Sequence, residues 1–590
     1  MEKDDERRQN MEDRKINNGD RDNTDGSVED DSPPQPVAGA GMLIGLQILS
    51  RLITVLMAQL QIRLASAEAF GAANIQLELV LGTILTISRE GVRNASSRQS
   101  SNRNVDVKKA KREKGLQNIA MLPILAGIPI SFLVMAIYQN RLASEQLASH
   151  PHFQLSCSIF LAGALAELIS EPSYIAALRK VQLGPRIWSE GAGLMAKGAS
   201  TLVCMIWLQK SSNSDGIDLR HSLLPFGVGQ FFYGLTFLTV FMVHSIMQSG
   251  LGSTVEMYHF RFGKQGSATF DKETLNLSIS MTRQNVVKHV LGEADKFAVA
   301  RLGSLSDQGA YALASNYGSL VARLLYQPIE ESARLTFATN LGSSVSKPSK
   351  AAVLYARDML SNLLSFYFLF AMYLVAFCPP LTTPLLTIIA GKKWALETSA
   401  PKILAVYGAA YLPAMAFNGL LEGFLQASAS SEQLARYDVV LIGASGSFIA
   451  FLASLTSPSS PLTSLSISAA ITPEIALVLA STFSTYIRAI YCFRFAAQFL
   501  SSPDRQDQFS IRSILPKRST ISIFLFILAA LCRHAYFVTN QDWHMPWSTQ
   551  ATNLVIMGVS FAIIATMECV RSERRTLLDA LQVVRGRRSR

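Results

Sequence analysis

The stretch NYGSLVARLLYQPIEESAR, residues 316–334, decides how the chain is read. Taken as one helix at about 100° per residue, it sets Asn316, Arg323, Gln327, Glu330 and Arg334 within an arc of roughly 60°. Leu320, Val321, Leu324, Leu325 and Ile329 occupy the other faces. An ionisable group at bilayer depth costs about 2.5–3.5 kcal/mol on insertion scales, so such a stripe in a membrane chain needs a wet cavity or partner charges. Pro328 sits in its middle and frees a backbone carbonyl, which predicts a bend. The stripe is either a functional face or a salt-bridge seam that only packs a bundle.

Outward from this helix the chain is apolar. Its 590 residues are 49% hydrophobic and 16% charged, and the mean hydropathy is positive. That excludes an ordinary soluble globule and predicts an all-α polytopic membrane protein. Fourteen stretches are long enough to span: roughly 41–64, 73–92, 116–137, 153–178, 187–208, 223–246, 275–302, 309–340, 353–376, 400–427, 436–456, 470–499, 519–538 and 549–570. The seventh carries Arg283, Lys288, Glu293, Asp295 and Lys296. Residues 1–40 are polar and charged, and read as a disordered cytosolic tail with no cleavable signal peptide.

Charge placement orients the spans. With a cytosolic N-terminus, the loops after the even-numbered spans hold about 21 Lys and Arg, against about 5 in the opposite loops. The loop after span 2 (Arg98, Arg103, Lys108, Lys109, Lys111, Arg112, Lys114) and the tail after span 14 both obey this rule. Both termini are therefore expected in the cytosol. The net charge of +11 is a topology signal and predicts no nucleic-acid partner. The sequons at Asn94 and Asn276 fall on the cytosolic side and are expected to stay unglycosylated. Six cysteines lie in apolar spans without a CxxC pair.

Residues 66–93 match residues 307–334 across six spans. Phe70 aligns with Tyr311, Asn74 with Asn316 within one residue, and both segments end in E-x-x-R. Both copies run the same way, which predicts a parallel repeat about an axis along the membrane normal. The expected organisation is a tail (1–40), a first lobe of six spans (41–246), a cytosolic linker (247–274), a second six-span lobe (275–499), an appended pair of spans (500–571) and a basic tail (572–590).

A polar inlay runs through these spans. Span 1 carries Gln47, Arg51 and Arg63. Span 2 carries Asn74, Glu78, Arg89, Glu90 and Arg93, and span 4 carries Glu167 and Glu171. Lys288 and Asp295 share one face of span 7. Span 10 aligns Tyr407, Tyr411, Asn418 and Glu422, with Pro413 as a bend. Arginine suits bidentate capture of phosphate, and lysine binds phosphate as a point charge. Carboxylates and amides suit sugar hydroxyls. The candidate binding set is Gln47, Arg51, Arg63, Asn74, Glu78, Arg89, Glu90, Arg93, Lys288, Asp295, Asn316, Arg323, Gln327, Glu330, Arg334, Asn418 and Glu422. It suits an anionic lipid with a sugar headgroup, and equally a nucleotide or an organic anion. For Arg63, Arg89, Glu90, Arg93 and Arg334, near span ends, snorkelling to the interface is the competing reading. The chain has no Walker A loop, no HExxH and no acidic pair on a non-cytosolic loop, so no enzyme activity, metal or cofactor is expected.

Five runs resemble the eukaryotic oligosaccharide-lipid translocation family of the endoplasmic reticulum, a branch of the multidrug/oligosaccharidyl-lipid/polysaccharide exporter superfamily. They are ANIQLELVLGTILTISREGVR (73–93), ELISEPSYI (167–175), KHVLGEADKF (288–297), DQGAYALASNYGSLVARLLYQPIEESAR (307–334) and YLPAMAFNGLLEGF (411–424). The resemblance implies two six-helix lobes around a central cavity, with a terminal helix pair, in the endoplasmic reticulum membrane. It implies a role in N-linked glycosylation, with the heptasaccharide diphosphodolichol moved from the cytosolic to the lumenal leaflet. Lipid-linked oligosaccharide, membrane lipids and glycosylation-machinery proteins are the implied partners. The alternatives are an ion-coupled antiporter of the same superfamily, cycling a carboxylate such as Glu78, Glu167 or Asp295, and a non-transporting scaffold.

Overall fold

The computed structural model describes residues 56–99, 109–143, 145–149, 152–180, 184–215, 222–260, 270–341, 349–457, 471–501, 511–540 and 547–574, with a few single positions besides. Gln47, Arg51 and the N-terminal tail lie outside them. Regular structure among the described residues is helical throughout. The helices are α1 (56–64), α2 (Ala67–Ser96), α3 (Gly115–Leu142), α4 (Phe153–Arg179), α5 (Gly184–Lys210), α6 (Leu224–Met257), α7a (Lys272–Gly292), α7b (Ala294–Leu302) and α8 (Leu305–Val321 continuing through Gln327–Leu341). They continue with α9 (Lys350–Ile389), α10 (Ala400–Ser428), α11 (Glu432–Thr456), α12 (Pro473–Leu500), α13 (Arg518–Tyr536) and α14 (Thr552–Ser572).

Eleven of these, α2–α6 and α9–α14, are long and apolar enough to cross a membrane. The chain is thus a multi-pass membrane protein. Three of the fourteen stretches read from the sequence are not among these eleven. The first lies largely outside the described residues, which begin at 56. The seventh stretch breaks at Glu293, just after Gly292. α8 is continuous but carries the charges that define its stripe.

Packing follows two neighbourhoods. α4 lies against α3 and α6, α6 against α5, and α2 against α3. Later in the chain, α8 and α12 pack on α10, α11 on α12, and α13 and α14 on α9. The last pair buries Phe524, Ile527, Leu531, Leu554 and Ala565 against Leu369 and Ala376 of α9. α7a packs along the end of α2, whereas α7b turns to α12 and to the start of α2.

α2 and α8 cross at their N-terminal ends, where Gly71 meets Gly309. A methyl group on Gly71 would overlap the Gly309 amide, and one on Gly309 would overlap the Ala67 carbonyl. Small residues permit this backbone approach, as membrane helix pairs require. Each helix begins at a serine cap: Ser66 accepts the Ala69 N–H and Ser304 the Asp307 N–H, both at 3.2 Å. In the sequence match, which aligns Phe70 with Tyr311, Gly71 falls opposite Ala312 instead of Gly309.

The bends expected at Pro328 and Pro413 take an unexpected form. A five-residue π-turn precedes each proline: Ala322–Tyr326 before Pro328, and Tyr407–Tyr411 before Pro413. Proline cannot donate to the carbonyl four residues back, and its ring crowds that carbonyl. Widening the preceding turn relieves both problems without ending the helix. An inserted residue also turns the helix face by roughly 100°.

Candidate functional site

The charges of α2 find their partners on α4. The Arg89 Nη1 donates to Glu167 Oε2 at 3.0 Å and lies 3.5 Å from Glu171 Oε1. The Arg93 guanidinium grips Glu171 with Nε on Oε2 at 2.9 Å and Nη2 on Oε1 at 2.5 Å. Glu90 flanks both arginines, at 3.6 Å from Arg89 and 4.0 Å from Arg93. The Gln230 amide of α6 donates to Glu167 Oε1 at 2.8 Å. The ring centre of Tyr174 lies 3.6 Å from the Arg93 guanidinium carbon, a cation–π contact. Glu171 is fully buried and Glu167 nearly so. Such a bidentate pair, with its remaining lone pairs satisfied, can persist at low dielectric. Arg89 and Arg93 thus belong to an internal lock between α2, α4 and α6, and not to an open binding face.

Arg63 is also absorbed. It donates to the carbonyls of Ile388 and Ile389 at 2.7 and 2.8 Å, and Gln59 Nε2 donates to Ile389 at 2.8 Å. These carbonyls end α9, where a helix leaves its acceptors unpaired and favours positive charge. Tyr317 of α8 donates to Gln59, and the Trp394 indole to the Ile62 carbonyl, which ties α1 to the second neighbourhood.

Between these regions lies a polar layer where α2, α7 and α8 meet. Gln76 donates to Gln308 at 2.8 Å and accepts from Tyr138 at 3.0 Å, all three buried. Asn74 bonds back to the Phe70 carbonyl of its own helix. Asp295 accepts from the Tyr311 hydroxyl at 3.0 Å and from the Lys296 N–H at 2.8 Å. Lys296 pairs with Glu293 at 2.8 Å, and the exposed Glu78 adds to the field at that ammonium. Lys288 is exposed, and its neighbour His289 meets Thr83 at 3.0 Å.

The π-turn divides the stripe on α8. Above it, Asn316 and Arg323 are exposed together. Arg323 Nη2 donates to Ser319 Oγ at 3.0 Å and Asn316 Oδ1 at 3.4 Å, and its Nε to the Ser319 carbonyl. Among the described residues no carboxylate forms an ion pair with it. Gln327 is exposed beside the turn, and so is Leu324, at 60%. The exposed face is therefore broader and less purely polar than the stripe implied. Below the turn, Glu330 and Arg334 turn towards α10. The Glu330 carboxylate lies against Gly419, and the Arg334 Cβ faces Gly423.

On α10, Asn418 Nδ2 donates to Glu422 Oε2 at 2.9 Å and Gln426 Nε2 to Oε1 at 3.2 Å. Tyr437 of α11 and Arg488 of α12 reach the same region. Sequence reasoning missed Arg488, Tyr437, Gln230, Lys296 and the Gln76–Gln308–Tyr138 set as site neighbours. It noted Glu167 and Glu171 without pairing them to α2. An arginine at the middle of an otherwise apolar stretch of α12 was the available signal for Arg488.

A family model described as "Rft-1: Rft protein" matches residues 35–583. The Man(5)GlcNAc(2)-PP-dolichol translocation protein RFT1 of Kluyveromyces lactis is 26% identical over 560 residues, covering 91% of this chain and 95% of that protein. The protein of the same name from Schizosaccharomyces pombe is 31% identical over 396 residues, covering 65% and 70%. Among solved structures, the lipid II flippase MurJ in an inward closed conformation shares the fold, with TM-score 0.53 and 14% identity over 89% of this chain and 99% of that one.

Proposed function

Because the chain belongs to the Rft protein family, we propose that it moves a dolichol-linked oligosaccharide across the endoplasmic reticulum membrane, from the cytosolic to the lumenal leaflet, for N-linked glycosylation. The headgroup rides on the exposed face of α8, with Asn316, Arg323 and Gln327. The polyprenyl tail stays in lipid. Both termini face the cytosol, as the basic loops require. Two six-helix lobes, completed by α1, α7 and α8, flank a central cavity, with α13 and α14 appended.

One observation carries this reading: Arg323 is exposed, held only by neutral groups of its own helix, whereas Arg89 and Arg93 are matched by carboxylates. A guanidinium kept open within an apolar bundle suits a diphosphate, which it can bind through two parallel hydrogen bonds. Glycosylation of a reporter in cells depleted of the native protein tests it, with membrane levels matched. Arg323→Ala lowers glycosylation about tenfold, as losing a charge-assisted hydrogen bond of about 1.5–3 kcal/mol requires. Arg112→Ala, in the basic helical segment that leads into α3, leaves it unchanged. Partial rescue by Arg323→Lys assigns the role to charge, and no rescue assigns it to the planar fork. Full activity of Arg323→Ala sinks the headgroup face.

A further inference from the structure

The cytosolic end of the first neighbourhood, in the topology proposed above, carries two features that translocation does not use. The first is charge. The helix Lys109–Ala120 leads into α3, and its opening turns read KAKREK, with Lys109, Lys111, Arg112 and Lys114 against Glu113 alone. Arg98 lies near the end of the helix Gly91–Gln99, which extends α2, and the exposed Lys180 directly follows α4. The last turns of α4 pack on the helix Lys109–Ala120. Orientation alone does not require this density: the loop after α8 faces the same side and carries only Lys347 over 342–349. The second feature is an apolar stub. α6 breaks at Gly250, with φ 78° and ψ 162°, a conformation in practice open only to glycine. Helix resumes over 251–257. Thr254 of this stub is buried and donates to the Gly250 carbonyl at 2.9 Å, while Leu251 and Val255, one turn apart, are 64% and 50% exposed. The stub and the basic helix are fastened together: Gln117 Nε2 donates to the Glu256 carbonyl at 2.6 Å and to the His259 carbonyl at 3.3 Å. Gly115 approaches the Asp271 N–H so closely that a methyl group there would overlap it, and Asp271 caps α7a by accepting the Thr274 N–H at 3.1 Å.

Exposed apolar residues beside a cluster of cations, at the end of a membrane span, match a lipid headgroup layer on two counts. The apolar side chains enter the boundary between headgroups and acyl chains, and the cations meet lipid phosphates. We propose that the start of the helix Lys109–Ala120, with Arg98, Lys180 and the stub 251–257, is a docking surface for anionic glycerophospholipids of the cytosolic leaflet. Lysine meets a phosphate as a point charge and demands no fixed geometry, so the surface selects charge over headgroup shape. Glu113, Glu256 and Glu273 oppose the attraction, and the cations outnumber them. The attraction sums over the cluster and fades within a Debye length, so no single cation is indispensable. The docked lipid is a resident of the leaflet and not the translocated one, and the test therefore reads binding.

The test uses the purified full-length protein in detergent, with phosphatidylserine or phosphatidylcholine added to the micelles. Binding of each radiolabelled lipid is measured directly, and thermal unfolding is followed at low and at high salt. Phosphatidylserine raises the wild-type Tm by several degrees, as a ligand that binds only the native state does. Phosphatidylcholine does not, and high salt removes most of the rise. Lys109→Gln, Lys111→Gln, Arg112→Gln and Lys114→Gln, combined in one variant, weaken phosphatidylserine binding about tenfold or more, with Tm in phosphatidylcholine unchanged. Lys347→Gln with Lys350→Gln, after α8, keeps wild-type binding. If the fourfold variant does not fold, Lys109→Gln with Lys111→Gln is read instead, and binding falls about threefold. Equal responses of wild type to the two lipids, or a phosphatidylserine response identical in wild type and the charge variants, overturns the proposal. So does a loss of binding to a short-chain polyprenyl diphosphate in those variants with phosphatidylserine binding intact, which would give the surface to the translocated lipid.

Discussion

The carboxylate of Glu330 packs directly on the backbone of Gly419, so that any β-carbon at position 419 would overlap it. The contact holds the charged end of α8 against α10, one residue from Asn418 and one helical turn from Glu422. It also explains why Glu330 is half-buried while Arg323 is not. Gly419→Ala therefore expels Glu330 or splays the two helices. The clash falls on the free end of a flexible side chain, so Tm in detergent falls by less than rigid overpacking of about 1–3 kcal/mol would require. A full-sized fall would mean that Glu330 cannot leave the contact.

The lock of Arg93 on Glu171 gives a second expectation. Arg93→Ala strips the fully buried Glu171 of its bidentate partner and leaves it only the long 3.5 Å contact to Arg89, at a cost that approaches the roughly 3–5 kcal/mol of a broken buried pair. Membrane levels of the variant should drop steeply, while glycosylation per remaining molecule changes little. Replacing both residues with leucine should recover the levels. Normal levels of Arg93→Ala would show that Glu171 is solvated or that Arg89 alone suffices to pair it.

Arg63→Ala removes two donors from the end of α9. Capping interactions of this size are worth about 1 kcal/mol, so a modest fall in Tm is expected, partly restored by Arg63→Lys. A loss of glycosylation at unchanged Tm would return Arg63 to the binding face.

On a background without native cysteines, a cysteine at position 323 should react with a membrane-impermeant aqueous reagent. One at Val439, exposed at 68% on the apolar outer side of α11, should not. Equal protection at both positions would place Arg323 against lipid or a buried seam.

What was legible in the sequence depended on how local the cause is. The α8 stripe came from a 3.6-residue period, which assumes an unbroken α-helix. The π-turn at 322–326 violates that assumption and separates Asn316 and Arg323 from Glu330 and Arg334. Pro328 and Pro413 were the only local hints, and they were read as bends. The residue types of the α2–α4 lock were visible, but their pairing was not. Glu171 and Arg93 lie 78 residues apart, and only packing decides which arginine meets which carboxylate. Arg63 looked like a ligand for the same reason: its acceptors are backbone carbonyls more than 300 residues away. Arg488 escaped notice because Glu474, Arg488 and Arg494 of α12 are too widely spaced to form a stripe.

The most direct measurement of the central claim is translocation by the purified protein in liposomes. Heptasaccharide diphosphodolichol is placed in both leaflets, and its accessibility to an impermeant sugar-specific probe is followed in time. Translocation by the protein predicts that the inner-leaflet pool becomes accessible with wild type, and about tenfold more slowly with Arg323→Ala. No exchange beyond protein-free liposomes, from a preparation that unfolds cooperatively and binds the lipid, would contradict it and leave the chain a supporting component of oligosaccharide assembly.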